Sequence, residues 1–344
     1  MTALVLSSCK PNDPVVPVNP VVGKGVFVLN EGTYTFANAS LTFYDPVADT
    51  VANQLFYKAN GVPIGDVAQS LALIGDCLYI VVNNSNYIYK VNAQTMVCDT
   101  TQPYRLDHFY SPRFMLPLSP EKAYVSDLEG RELWIINPKN MTHTGTIHLG
   151  KPTETMVMTG NEVYLANWSN YYDPEIVNNT VMVVDAVNDM KVAEIEVGKE
   201  PNGMAVDKNG EVWVLCEGAY WTEDAEDPSL WKIDPHTKQA TCVRTFDATA
   251  MNLAIDPTGE YLYYFLNGDV RRARVSAPTE EDSFCISAEG RTFYKIFTHP
   301  VQGEIYVSDA RNYMLNGKVY RYSSDGLLIS SFNAGICPSF MLFN

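Results

Sequence analysis

Histidine is scarce in this chain, with five in 344 residues. His108, His143, His148, His236 and His299 stand far apart in register, so no histidine cluster is at hand for general acid–base work or metal ligation. Cysteine pairs of the CxxC type are missing, which argues against structural zinc. The G-x-S-x-G elbow, the HExxH helix and the phosphate-cradling P-loop are missing too, and the common hydrolase and nucleotide enzymes lose their usual signatures with them. Basic residues are few: 24 Lys and Arg against 40 Asp and Glu leave a formal charge of −16. A surface of that sign repels nucleic acid and anionic lipid, and it favours a soluble, self-repelling monomer. No stretch reaches the roughly 18 apolar residues of a membrane-spanning helix, and no helical period of apolar residues recurs.

What the chain has is a repeat. Short apolar segments recur as Ser70–Leu73, Phe114–Leu116, Thr155–Met158, Gly203–Val206, Asn252–Ile255, Tyr294–Phe297 and Phe340–Phe343, at roughly the 41 to 49 residue spacing of propeller blades. Each is tied to a second apolar-aromatic strand, such as Val26–Leu29, Leu78–Val82, Val212–Leu215 or Tyr261–Phe265. Turn signals such as Asp207-Lys208-Asn209-Gly210 and Asp256-Pro257-Thr258-Gly259 lie between them. A third strand and a fourth complete each unit. Four short strands in each of seven units predict an all-β, seven-bladed β-propeller. The first unit opens on its second strand, at Val26, and lacks an inner one. The last segment, Pro338 to Asn344, is expected to supply it and close the ring, which removes both open sheet edges.

The first residues differ. The apolar run Ala3–Leu6, then Ser7-Ser8-Cys9, resembles a lipobox, and Lys10–Pro20 is rich in proline. Residues 1–22 therefore read as a lipoprotein signal remnant with a Pro-rich tether, and 23–344 as the propeller. Cys9 would be the lipidated residue, and the chain would meet the membrane through that anchor alone, an outer-membrane, surface-exposed placement. The other six cysteines read as small buried hydrophobes at strand positions, with the pairs Cys77/Cys98 and Cys216/Cys242 as the alternative.

Function is expected where the inner strands begin, because the loops entering them and the loops after the second strands share one face. The entering residues pair as Asp66 and Gln69, Tyr110 and Arg113, Lys151 and Glu154, Glu200 and Asn202, Thr249 and Asn252, Arg291 and Tyr294, then Ser339. The loops after the second strands carry amides and aromatics, and two of them are long, near 167–180 and 217–229. From these the candidate ligand-binding residues are Tyr34, Asn84, Tyr110, Arg113, Trp168, Asn170, Tyr171, Tyr172, Asn202, Tyr220, Trp221, Tyr294, Arg311 and Tyr313. Amides offer donors and acceptors and aromatics offer flat area, which suits a large, polar-edged ligand. No catalytic residue and no metal ligand set is expected. The run Glu223–Asp227 reads as a solvated acidic loop.

The segment Glu200-Pro201-Asn202-Gly203-Met204-Ala205-Val206-Asp207 resembles the inner-strand signature of YncE-like (YVTN) propellers. The opening hairpin, Val26–Gly32 followed by Ala39–Asp45, resembles the surface lipoprotein propellers of gut Bacteroidetes, and within them the BtuG-like vitamin B12-binding lipoproteins. That resemblance implies capture of cobalamin or another corrinoid outside the cell, with no cofactor, and delivery to a TonB-dependent outer-membrane transporter. Two other readings stand beside it. Pro201-Asn202-Gly203 also occurs in gluconolactonase-like metal-dependent hydrolases, whose Glu/Asn/Asp quartet converges on one ion. A structural or adhesive surface protein could use the same aromatic face.

Overall fold

The computed structural model describes residues 25–344 apart from 101, 106–108, 169–176, 220–222, 224 and 281. The lipobox-like Cys9 and the tether lie outside the described residues.

The chain forms a ring of seven antiparallel sheets. The inner strands of blades 2 to 7 are Ala68–Ile74, Pro112–Ser119, Met156–Thr159, Pro201–Val206, Ala250–Ile255 and Phe293–Thr298. Blade 1 takes its inner strand, Pro338–Phe343, from the chain's end, and it pairs with Val26–Asn30 in antiparallel register, Val26 opposite Phe343 and Leu29 opposite Phe340. Each inner strand packs on those of both neighbouring blades, so the ring is closed. The seven inner segments and the closure stand where the repeat put them.

Two features depart from four regular strands per unit. Blade 2 has three strands, Ala68–Ile74, Cys77–Val82 and Tyr87–Asn92, and two lone bridges replace its outer strand, Ile88 to Tyr104 and Val91 to Cys98. A six-residue helix, Leu55–Asn60, connects blades 1 and 2, with Leu55 and Phe56 buried. It is too short to print a helical period, which is why the sequence pattern passed over it.

The hydrophobic interior is divided into seven clusters, one between each pair of adjacent blades. This follows from strand geometry. Side chains alternate across a strand, and both faces of a blade are covered by neighbours, so the second strands are apolar on both sides. Val212–Cys216 is buried throughout. The turns at the far ends behave as their residues require: Gly210 and Gly259 take φ of 83° and 69° and donate to Asp207 and Asp256 across tight turns. No disulfide forms among the six described cysteines. Cys216 and Cys337 are buried and Cys77 and Cys98 half-buried, but Cys242 and Cys285 are exposed, against the expectation of a buried set. Both lie on outer strands, where one side faces solvent.

A candidate binding site at the channel mouth

The seven inner strands surround a channel, and the way they begin decides what points into it. In six blades the first pairs of the inner strand are broken by a bulge: the register skips Gln69, Arg113, Asn202, Asn252, Tyr294 and Ser339 together with their unpaired neighbours. A bulge leaves a residue outside the ladder and re-aims its side chain. Blade 4 has no bulge and contributes Glu154, just ahead of Met156. So the second member of every entering pair reaches the channel. Three of the first members do other work. Asp66 accepts the Thr35 amide on both oxygens, at 3.0 and 2.9 Å. Lys151 pairs with Glu194 at 2.8 Å, and Arg291 is held by the Ala288 and Ser287 carbonyls at 2.7 and 2.8 Å.

A second ring of residues lies where the second strands end, and here two adjacent positions separate. The earlier position turns between blades and is structural. Asn30, Asp127 and Asn167 are fully buried and Asp309 nearly so. Asp127 alone accepts the Tyr110, Ser111, Glu129 and Gly130 amides at 2.8 to 3.0 Å and the Trp134 indole at 3.2 Å. The next residue donates its backbone N–H to the segment entering the inner strand, Glu31 to Cys337, Leu128 to Ser111, Glu217 to Glu200 and Ala310 to Thr292. Its side chain takes the other side of the strand, toward the channel. This position holds Glu31 and Glu217, and in blade 4 Trp168.

These two rings make one polar cluster. Arg113 and Glu154 form a bidentate pair at 2.5 and 2.7 Å. The Arg113 guanidinium also stands 5.9 Å from the Trp168 ring centre. Burial alone would lower the Arg113 pKa, but Glu154 outweighs it and holds the charge. Tyr294 donates to Glu31 at 2.7 Å and Asn202 to Glu217 at 2.9 Å. Burial pushes both carboxyls above the usual carboxylate range, against the pull of those hydrogen bonds and of Lys295. Burial and the Glu31 charge push the Tyr294 phenol well up. Just below, a cavity of about 200 Å³ is lined by Gln69, Asn202, Asn252, Lys295 and Ser339 over Phe114, Phe297 and Phe340.

Above the cluster the mouth carries exposed aromatics. Tyr34 is 65% exposed, Tyr110 58% and Tyr313 49%, and Phe36, Met314 and Leu315 are as open. The loops of blades 7 and 1 touch through Thr33 Oγ1 and the Tyr313 carbonyl at 3.4 Å, and Tyr313 stands edge-on to Tyr294 at 5.8 Å. Among the sequence candidates, then, Tyr34, Tyr110, Arg113, Trp168, Asn202, Tyr294 and Tyr313 share this face in usable positions. Arg113 serves through a guanidinium already bound to Glu154. Asn84 is tied to Asp66 at 2.6 Å, and Arg311 is an exposed turn residue. Asn170, Tyr171, Tyr172, Tyr220 and Trp221 lie outside the described residues. Sequence reasoning left Glu31, Glu217 and Lys295 out of the site. Strand-end parity, one residue past the buried Asn30, points to Glu31; Glu217 follows the buried Cys216, and Lys295 sits beside Tyr294 in the blade 7 bulge, so neither carries that signal.

The opposite face is different in kind. Its open grooves, of about 730 Å³ between blades 4 and 5 and about 380 Å³ between blades 5 and 6, are larger but lined by turn residues and paired charges such as Lys208–Glu260 and Lys232–Glu211. Among the described residues no three His, Cys, Asp or Glu side chains converge as metal ligands, and no helix is long and apolar enough to cross a membrane.

A family model described as a domain of unknown function, DUF5074, matches residues 24–344, the whole propeller. The chain belongs to that family. No curated protein matches it. Solved structures share the fold. A quinonprotein alcohol dehydrogenase-like protein from Bacteroides thetaiotaomicron superposes with a TM-score of 0.68 at 16% identity, over 93% of this chain and 78% of that one. A protein from Lactobacillus plantarum gives 0.66 at 14%, over 94% and 100%. Hydrazine synthase of Kuenenia stuttgartiensis gives 0.59 at 14%, over 79% and 88%. At these identities the likeness is one of fold.

Proposed function

We propose that this DUF5074 propeller is a non-enzymatic surface lipoprotein that binds cobalamin or a related corrinoid at the channel mouth and hands it to a TonB-dependent outer-membrane transporter. The observation that carries this reading is the layering of the mouth. Exposed Tyr34, Tyr110 and Tyr313 surround the polar throat of Gln69, Asn202 and Ser339, with Tyr294 bonded to Glu31 beside it. A flat macrocycle wants aromatic area against its face, and its many side-chain amides want hydrogen-bonding partners beneath. Tyrosine supplies that area at low entropy cost, having few torsions to freeze. The resemblance of the opening hairpin to the BtuG-like lipoproteins of Bacteroidetes supports the same ligand class, the same anchor at Cys9 and the same transporter partner.

A hydrolase of the gluconolactonase kind is less well supported. It needs free carboxylates converging on one ion, and Glu154 spends both oxygens on Arg113. The test is calorimetric and absorbance titration of the full chain with cyanocobalamin. Saturable binding at or below micromolar ligand is expected, and its absence at micromolar protein would overturn the reading.

A further inference from the structure

The throat beneath the aromatic rim contains polar groups that the fold does not use. Ser339 is 3% exposed and its hydroxyl makes no well-formed hydrogen bond, although it lies near enough to the Glu31 carboxylate to help hold its pKa down. Gln69, 6% exposed, has an amide that makes no hydrogen bond among the described residues. The Lys295 ammonium makes no ion pair among the described residues. It packs on the Tyr294 ring at 5.5 Å and lies within electrostatic range of both Glu31 and Glu217. Buried polar groups in native proteins are paired with few exceptions, and an exception lining a cavity points to a missing partner. A bulge in each of the three blades delivers these groups to one cavity of about 200 Å³.

What partner fits is a question of charge. Lysine ammonium, glutamine amide and serine hydroxyl together are rich in donors, so the guest must bring an acceptor oxygen. Arg113 and Glu154 cancel one another, which leaves Lys295 facing two carboxylates, Glu31 and Glu217. A carboxylate or phosphate guest would meet an excess of negative charge, and a bare ammonium guest would meet Lys295 at short range. A neutral group with an acceptor at one end and a donor at the other satisfies both. We propose that the throat is a subsite for a primary carboxamide, its carbonyl accepting from Lys295 and Ser339 and its N–H groups turned toward the carboxylates, and that it discriminates against the corresponding acid. Only one arm of a ligand fits a space of this size, so the plate of a large ligand would stay at the rim. This deepens the corrinoid reading and rests on it for the identity of the arm, since corrinoids carry such amides. The recognition chemistry itself stands on the throat.

Two experiments with the full chain separate the two ideas. The first compares cyanocobalamin with its side-chain monocarboxylic acids by calorimetry. At least one acid should bind ten-fold or more weakly than the parent, Lys295→Met should weaken the parent about ten-fold, and Glu217→Gln should narrow the gap between amide and acid. The second uses propionamide and propionate at millimolar concentration, with NMR of the Gln69 and Asn252 side-chain amides as the readout. Propionamide should shift them and propionate should not, and Ser339→Ala should weaken the shift. If cobalamin fails to bind but propionamide still shifts these signals, the corrinoid reading falls and the subsite stands. If every acid binds as the parent does, or propionate shifts the signals as strongly as propionamide, the subsite is overturned whatever cobalamin does.

Discussion

One residue separates Asn30 from Glu31, and the two do opposite work. Asn30 points between blades, where its amide bonds Ser40 and Thr42 and accepts the Gly335 N–H. Glu31 points to the channel, where it takes one hydrogen bond from Tyr294 and sits partly desolvated. The same division recurs in blade 4, between Asn167 and Trp168, while Asp127 and Asp309 repeat the inward half of it. The inward members are saturated and hold the loops. The outward members, with the bulge residues opposite them, keep chemistry in reserve. Polar residues in one stretch of sequence therefore divide by parity into scaffold and site.

The comparison breaks most visibly at Asp127. Asp127→Ala strands four backbone amides and an indole, and each buried donor left unmade is expensive, so a loss of about 3–5 kcal/mol is expected in chemical denaturation. A loss under about 1 kcal/mol would mean that the inward position is not scaffold. Next comes the pair at the bulge positions. Arg113→Met leaves Glu154 buried without its counter-ion, and a loss of about 3 kcal/mol should follow. Thermal melts of the single and double variants measure it, and Arg113→Met/Glu154→Leu should regain most of the loss.

The outward carboxylates should behave the other way. Glu31 and Glu217 have raised folded-state values, so the folded chain holds protons that the unfolded chain releases. Their contribution is full below the unfolded value of 4.5 and is lost as pH rises through the raised folded values. Wild-type stability measured upward from about pH 4.5 should carry this decline, and Glu31→Gln/Glu217→Gln should flatten it without destabilising the neutral protein. A variant whose profile matches the wild type would place these carboxyls in water. The smallest effect is expected at Tyr294→Phe, which removes one hydrogen bond worth about 1 kcal/mol and should push the Glu31 carboxyl further up in a carboxyl NMR titration.

Much of the fold was legible because a propeller repeats itself. An apolar segment such as Gly203–Val206 returns once per blade, and the missing inner strand at Val26 and the spare one at Pro338 account for each other. What escaped was local. The helix Leu55–Asn60 spans too few residues to show a period, and the outer edge of blade 2 is held by two bridges rather than a strand. The site was half legible. Spacing brought Gln69, Arg113, Asn202, Tyr294 and Ser339 to the channel, but a pattern in the sequence does not say that each sits in a bulge. Nor does it say which of two adjacent polar residues faces the mouth. Asn84 looked like a ligand residue and serves Asp66, whereas Glu217 looked like part of a loop and stands over the throat.

The central claim is that ligand binds at the mouth and not in the larger grooves opposite. Amide hydrogen exchange with and without saturating cyanocobalamin tests it directly. Protection is expected in the segments 31–38, 110–115, 292–295 and 310–315 that frame the mouth. The opposite turns at 159–162, 207–211 and 256–260 should exchange at unchanged rates. Protection confined to those turns, or none anywhere, would contradict the account.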